Sequence, residues 1–181
     1  MGQSDEDLNE HGCQQAQLLS SRLCDKNIDA IYSSPLLRAY NTAVSIGSFH
    51  NFDPTILTEL TEIDVGDWQE MHRDEISHKW PDLWQLWRTQ PWVVKFPNGE
   101  RLNDVEKRVM PIFHKIAAEN IDKQIVVVAH EVLLKLIIAN ILNASIKIYR
   151  RFEIDNASIS TLHYENDELR LTALNDVSHI V

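Results

Sequence analysis

Two strand-to-helix junctions of this chain carry side chains suited to binding or transforming an anion. Arg38 follows residues 31–35, which read as a strand end and a Ser-Ser-Pro turn before a helix. His130 ends the apolar run 125–129, and a second helical segment follows it. Ligands of open α/β sheets bind at the carboxyl ends of strands. An arginine in the first turn of a helix can hold phosphate oxygens bidentately, helped by the free helix N–H groups. The two junctions therefore predict an anion site.

Both residues also have a purely structural interpretation. An isolated surface arginine commonly forms a salt bridge, and a buried histidine commonly bonds to backbone. The pair His130-Glu131 is also how a zinc-protease motif begins, but that motif needs a second histidine four residues after the first. Leucine occupies that position, and the other histidines show no metal-ligand spacing. We therefore predict no metal and no other cofactor.

Composition narrows the class of protein. The 181 residues carry a formal charge of −10, which argues against nucleic acid and anionic membranes as partners but not against a small phosphate ester. No apolar run is long enough to span a bilayer, and the acidic first residues predict no secretory leader. Cys13 and Cys24 fall about 16 Å apart on one predicted helix, which is too far for a disulfide. Free thiols indicate a cytoplasmic protein.

The elements that must position these residues alternate between strands and helices. Strands are predicted over residues 28–33 and 125–129, the second fully buried because its apolar residues run without alternation. Helices are predicted over 13–23, 36–47, 75–88 with a break at Pro81, 102–120 and 132–142, and a hairpin over 158–174. This order predicts a three-layer α/β/α sandwich, and the length predicts one domain over residues 1–181. Four tryptophans lie within residues 80–92. Most are expected in the core, with Trp92 the best candidate for an aromatic wall over a substrate.

Four segments in this order resemble the histidine phosphatase superfamily, also called phosphoglycerate-mutase-like. They are Ser-Ser-Pro-Leu-Leu-Arg-Ala ending at position 39, the acidic segment 60–68, Pro-Asn-Gly-Glu ending at position 100, and Val-Val-Val-Ala-His ending at position 130. The resemblance implies metal-free phosphomonoester hydrolysis. Arg38 would bind the phosphate, His130 would neutralise the transferring oxygens, and Glu62 would protonate the leaving group. Glu100 is expected near the substrate.

The family signature Arg-His-Gly, which supplies the nucleophilic histidine, is absent from this sequence. Two explanations are open. The first is an N-terminally incomplete phosphatase that lacks its first central strand. The second is a non-catalytic relative that binds a phosphorylated ligand or a protein partner. Because loss of the central strand would leave two inner strands with unpaired edges, truncation or a strand supplied from elsewhere is favoured. Glu131 stands where the family usually has glycine.

We therefore predict a phosphomonoester hydrolase for a small phosphorylated metabolite, inactive as it stands for lack of a nucleophile. The alternatives are a phospho-ligand or partner-binding pseudophosphatase and a phosphoglycerate mutase. The predicted partner is phosphate or a small phosphorylated substrate. Self-association into a homodimer is left open.

Overall fold

The computed structural model describes residues 2–180, which form six helices and five strands within that range. The helices are α1 (Glu10–Leu23), α2 (Leu37–Gly47), α3 (Arg73–Lys79), α4 (Pro81–Thr89), α5 (Leu102–Glu119) and α6 (Glu131–Ile141). The strands are β1 (Ala30–Ser33), β2 (Thr55–Ile56), β3 (Ile125–Val128), β4 (Ile159–Glu165) and β5 (Glu168–Asp176). Short 3₁₀ turns cover Thr58–Leu60, Gly66–Trp68, Pro91–Val93 and Ile146–Arg150.

A parallel sheet of order β2-β1-β3 forms the middle layer. Successive side chains of a strand point to opposite faces. Ile31, Val126 and Val128 accordingly pack with residues of α1 and α2 on one side. Tyr32 and Val127 pack on the other side with the larger core that contains α5 and α6. These two cores on opposite faces confirm the predicted three-layer α/β/α arrangement.

Most element boundaries fall within a few residues of the predicted ones, because strong local signals set them. Asn9 caps α1, its side chain accepting a hydrogen bond from the Gly12 N–H at 2.8 Å. The predicted break at Pro81 is present, with Trp80 ending α3 and Pro81 opening α4. The hairpin of β4 and β5 is antiparallel, and Asn166 and Asp167 in its turn both have positive φ. Cys13 and Cys24 are free thiols, as predicted.

The prediction that residues 125–129 form a fully buried strand is wrong. All four residues of β3 are only half-buried, whereas Ile31 of the neighbouring β1 is 2% exposed. The reason is topological. Within the described residues β3 pairs with β1 alone, and β4 and β5 form a separate two-stranded sheet. One edge of β3 thus has no strand partner, although its sequence is that of an inner strand.

Tryptophans bind the α3–α4 segment to the rest of the molecule. The ring of Trp68 lies 6.2 Å from that of Trp80 and 5.9 Å from that of Trp84, and Phe96 meets it edge-on at 5.0 Å. Trp87 contacts the same Phe96 at 5.0 Å. These contacts confirm that most of the tryptophans serve core packing. Across residues 2–180, no helix combines the length and the apolar character that crossing a bilayer requires.

Candidate active site

The junction between β1 and α2 brings Arg38 to the N-terminal segment. Ser34 follows the last residue of β1, and its N–H donates to the Val128 carbonyl at 3.0 Å, which ties this turn to the end of β3. The guanidinium of Arg38 donates to the carbonyl oxygens of Ser4 at 2.7 Å and Gly2 at 2.8 Å. Asp5 accepts from the Leu37 N–H at 2.7 Å, at the start of α2. A carboxylate is stabilised at a helix N-terminus, so this junction already accommodates one negative charge.

His130 lies at the matching junction between β3 and α6 and is only 6% exposed. Its Nε2 is 2.8 Å from the Ser34 hydroxyl, which joins the two junctions by a hydrogen bond. Burial, and then the charges of Arg38 and Arg108, lower the pKa of His130 to about 3. The imidazole is therefore neutral near neutral pH, and a neutral ring can donate one N–H to a phosphoryl oxygen. A bound dianion would reverse part of this pKa shift, because it would offset the two cations.

Glu62 has the pKa of a general acid that works near neutral pH. Burial raises the pKa of its carboxyl to about 7, although hydrogen bonds from the backbone N–H groups of Ile63 and Val132 and the charge of Arg38 act in the opposite direction. The Ile63 N–H donates to its Oε1 at 2.7 Å. A carboxylic acid with a pKa near the working pH can protonate a leaving oxygen effectively. Among the acidic residues of its loop, Glu62 is thus the one whose environment suits this role.

Arg108 of α5, which the sequence analysis did not single out, holds the Glu62 loop in place. Its guanidinium donates to the carbonyl oxygens of Glu59 at 2.7 Å and Glu62 at 3.1 Å, and to both oxygens of Glu100 at 2.9 and 3.1 Å. Glu100 also accepts from the Asp64 N–H at 2.9 Å. Position 108 lies beside the buried Val105 and Val109 of α5. The sequence signal that could have identified Arg108 is its position as a basic residue at the edge of the buried face of α5.

The predicted site residues separate into two groups. Arg38, Glu62 and His130 come together, since the charge of Arg38 acts on the pKa of both other groups. Glu100 contacts Arg108 and the loop backbone, contacts that suit a positioning role, and its predicted contact with substrate stays a prediction. Trp92 lines a different groove, together with Thr89, Ser145, Lys147, Ile148, Arg150 and Arg151.

The structure gives Glu131 a partner at the start of α6. Its carboxylate forms an ion pair with the Lys135 ammonium at 2.7 Å, one helical turn further along α6. Lys135 is a buried cation that needs such a partner. The charge of Glu131 contributes to the raised pKa of Glu62, so the residue found where the family usually has glycine helps to keep Glu62 protonated.

Substituting Glu62 should change how the stability of the fold depends on pH. Because its folded-state pKa of about 7 lies above the ordinary value of 4.5, the folded chain binds more protons there than the unfolded chain between these values. The free energy of unfolding therefore falls as pH rises through this window. Relative to Glu62→Gln, the unsubstituted chain should lose about 2–3 kcal/mol between pH 4.5 and 8. Urea unfolding of both proteins across this range measures the difference. Parallel stability curves for the two proteins would contradict the raised pKa.

Comparison with known proteins places this site in a family. The model of the histidine phosphatase superfamily, branch 1, matches residues 1–177. The chain belongs to this superfamily. Phosphoserine phosphatase 1 of Hydrogenobacter thermophilus is 34% identical to it over 179 residues, covering 99% of this chain and 85% of the relative.

Solved structures agree with this membership of the histidine phosphatase superfamily. Bacillus stearothermophilus YhfR superimposes with a TM-score of 0.95 at 27% identity, covering 100% of this chain and 90% of that one. A mycobacterial glucosyl-3-phosphoglycerate phosphatase in complex with inorganic phosphate gives a TM-score of 0.89 at 28% identity, covering 100% and 93%. The α/β fold predicted from the sequence is thereby confirmed as phosphoglycerate-mutase-like. Among residues 2–180 there is no group of three or more histidine, cysteine or acidic side chains that could hold a metal ion.

Proposed function

We propose that this chain is the phosphate-binding and proton-donating part of a phosphomonoesterase for small phosphorylated metabolites. The observation that carries the proposal is the meeting of Arg38, a neutral His130 and a Glu62 whose pKa is about 7. Arg38 and the His130 N–H would bind phosphoryl oxygens, and protonated Glu62 would give its proton to the departing alcohol oxygen. The relatives' names, phosphoserine phosphatase and glucosyl-3-phosphoglycerate phosphatase, support a small phosphorylated metabolite as substrate.

The covalent step of this reaction needs a nucleophile, and the sequence lacks the Arg-His-Gly signature that supplies it in the family. His130 is buried, and its imidazole is already hydrogen-bonded to Ser34. The open edge of β3 and the position of Gly2 beside Arg38 support a specific source. A strand added before Gly2 would pair with β3 and end with its last side chain near Arg38. A histidine there would complete the family's signature Arg-His-Gly.

A second candidate function is a non-catalytic module that binds a phosphorylated ligand. It is favoured by the same missing nucleophile, combined with an intact pair of phosphate-binding side chains in Arg38 and His130. The phosphoglycerate mutase alternative and the cytoplasmic location stay predictions.

Anion binding at Arg38 is common to both candidate functions and can be tested on the chain as it is. Orthovanadate at about 100 times its dissociation constant should stabilise the fold by about 2.7 kcal/mol, which raises the melting temperature by about 5–10 °C for a chain of this size. Arg38→Ala should remove most of this shift, since a charge-assisted bidentate contact is lost. Thermal unfolding with and without vanadate measures it.

A matched control is Arg170→Ala, which removes an exposed arginine from β5. This variant should keep the full vanadate shift. Because Arg38 also bonds to Gly2 and Ser4, each shift is taken relative to the variant's own melting temperature without vanadate. An undiminished shift in Arg38→Ala would contradict the proposed anion site.

A further inference from the structure

A second cationic site lies away from Arg38, in the groove between the end of α4 and the 3₁₀ turn Ile146–Arg150. The groove has a volume of about 530 Å³. Its lining combines three basic side chains, an aromatic ring, an aliphatic side chain and two hydroxyls: Lys147, Arg150, Arg151, Trp92, Ile148, Thr89 and Ser145. Three of the chain's 17 basic residues thus fall within five positions and face one cavity, in a protein whose net charge is −10.

The three cations of this groove are not neutralised by the protein. Among the described residues, the ion pairs are formed by Arg22, Arg108, Lys115 and Lys135, and none includes Lys147, Arg150 or Arg151. The nearby acidic residue Glu153 lies 3.7 Å from the Lys135 ammonium instead. Like charges gathered in one cleft repel one another and concentrate the field there, which favours a bound anion. An arginine guanidinium binds phosphate or carboxylate oxygens with fork geometry.

The aromatic and aliphatic residues define the rest of the ligand. Trp92 is half-buried in the groove and takes no part in the ring contacts that tie Trp68, Trp80, Trp84 and Trp87 together. Trp92 and Ile148 both line the groove and provide apolar contact for a ring or a short aliphatic group. Few pockets of a small protein combine apolar walls with convergent charged groups, and those that do are typical ligand sites.

This groove neighbours the Arg38 site without being part of it. Tyr149, between the lining residues Ile148 and Arg150, is buried and packs against Trp87 at 6.3 Å. The Lys135 ammonium lies 5.1 Å from the centre of the Tyr149 ring and is paired with Glu131, which follows His130. Tyr149, Lys135 and Glu131 therefore connect the turn that lines the groove to the helix start that follows His130.

We propose that the groove of Trp92, Lys147, Arg150 and Arg151 binds the phosphate or carboxylate group of a small organic anion, with the ring or apolar part of that molecule on Trp92. The anion has two sources that share this chemistry. It is either the far end of a molecule that also reaches Arg38 or a separate molecule. Binding in this groove does not require hydrolysis, so the test of the groove is independent of the test of the proposed function.

The test follows the five tryptophan indole N–H signals by two-dimensional NMR while phenyl phosphate is added at constant ionic strength. Triple-resonance experiments assign the signals, so no variant is needed to identify Trp92. The Trp92 signal should shift and saturate. In Arg150→Gln/Arg151→Gln, both exposed and outside the core, the dissociation constant should rise about tenfold or more, equivalent to 1.4 kcal/mol per factor of ten. The control is Arg170→Gln, the same substitution at an exposed arginine outside the groove, which should leave binding unchanged.

Glycerate 3-phosphate, which carries a phosphate and a carboxylate, separates the two sources. If one molecule bridges both sites, Arg38→Gln and the groove variant should each weaken its binding as read at Trp92. If a separate molecule binds the groove, Arg38→Gln should leave the Trp92 titration unchanged. Either result supports the site. A Trp92 signal that does not move with phenyl phosphate, or one that moves equally in the Arg150→Gln/Arg151→Gln variant, would overturn it.

Discussion

Residues 1–181 should hydrolyse p-nitrophenyl phosphate at least about 10³-fold more slowly than the same chain carrying an added strand that ends in Arg-His directly before Gly2. Removing the nucleophile of an enzyme that works by covalent catalysis typically costs factors of this size or more in kcat. Two features determine where the added strand should lie. The carbonyl of Gly2 accepts a hydrogen bond from Arg38, so a histidine added directly before Gly2 should lie close to Arg38. The unpaired edge of β3 offers backbone groups to the new strand.

The control for this experiment is the same added strand with alanine in place of the histidine. It should gain the stability that comes from pairing the β3 edge and yet remain without turnover, which separates completion of the sheet from completion of the chemistry. Rapid hydrolysis by residues 1–181 alone would show that another side chain acts as nucleophile. A strand that stabilises the fold but restores no activity would favour the non-catalytic module.

Replacing Arg108 by alanine should be the most damaging single change near the site. It removes four hydrogen bonds, leaves Glu100 without its partner and frees the carbonyl oxygens of Glu59 and Glu62. Breaking one side of a largely buried ion pair costs about 3 kcal/mol or more, because the other charge stays desolvated. We expect the melting temperature to fall by about 5–10 °C. Thermal unfolding of Arg108→Ala measures this effect.

The matched control is Lys107→Ala, which removes an exposed cation one position earlier on α5 and should change the melting temperature by about 1–2 °C at most. A double-mutant cycle with Glu100→Ala adds a second criterion. Removing both partners should cost less than the sum of the single changes, since no unpaired charge remains. Strict additivity would show that Arg108 and Glu100 act separately, which would contradict their pairing beside the Glu62 loop.

The sequence was informative wherever a function depends on a local signal. Arg38 and His130 were singled out because each lies at a strand-to-helix junction that a few adjacent residues define, and Glu62 because its segment resembles the corresponding segment of the family. Their electrostatic environments could not be read in this way. The pKa of Glu62 depends on burial and on Arg38, Glu131 and backbone groups from distant parts of the chain.

Features that depend on contacts between distant segments could not be predicted from the sequence. The apolar residues of β3 predicted a buried strand. Burial also depends on how many neighbouring strands pair with it, and the composition of one strand does not reveal that number. The contact of the Glu100 carboxylate with Arg108 of α5 is of this kind, and the expected contact of Glu100 with a substrate stays a prediction. Trp92 belongs to the 3₁₀ turn Pro91–Val93 and lines a groove with residues from another part of the chain, and its expected role as an aromatic wall also stays a prediction.

The positions of the tryptophans determine which part of this protein is observed by fluorescence and near-ultraviolet circular dichroism. All five tryptophans lie between positions 68 and 92, and four of them belong to the ring cluster around Trp68 and Phe96. Intrinsic fluorescence and near-ultraviolet circular dichroism therefore follow the docking of α3 and α4, while far-ultraviolet circular dichroism follows the backbone of the whole chain. If α3 and α4 detach before the sheet unfolds, the two signals have different midpoints. Fluorescence alone would then give the stability of this aromatic unit, not that of the fold.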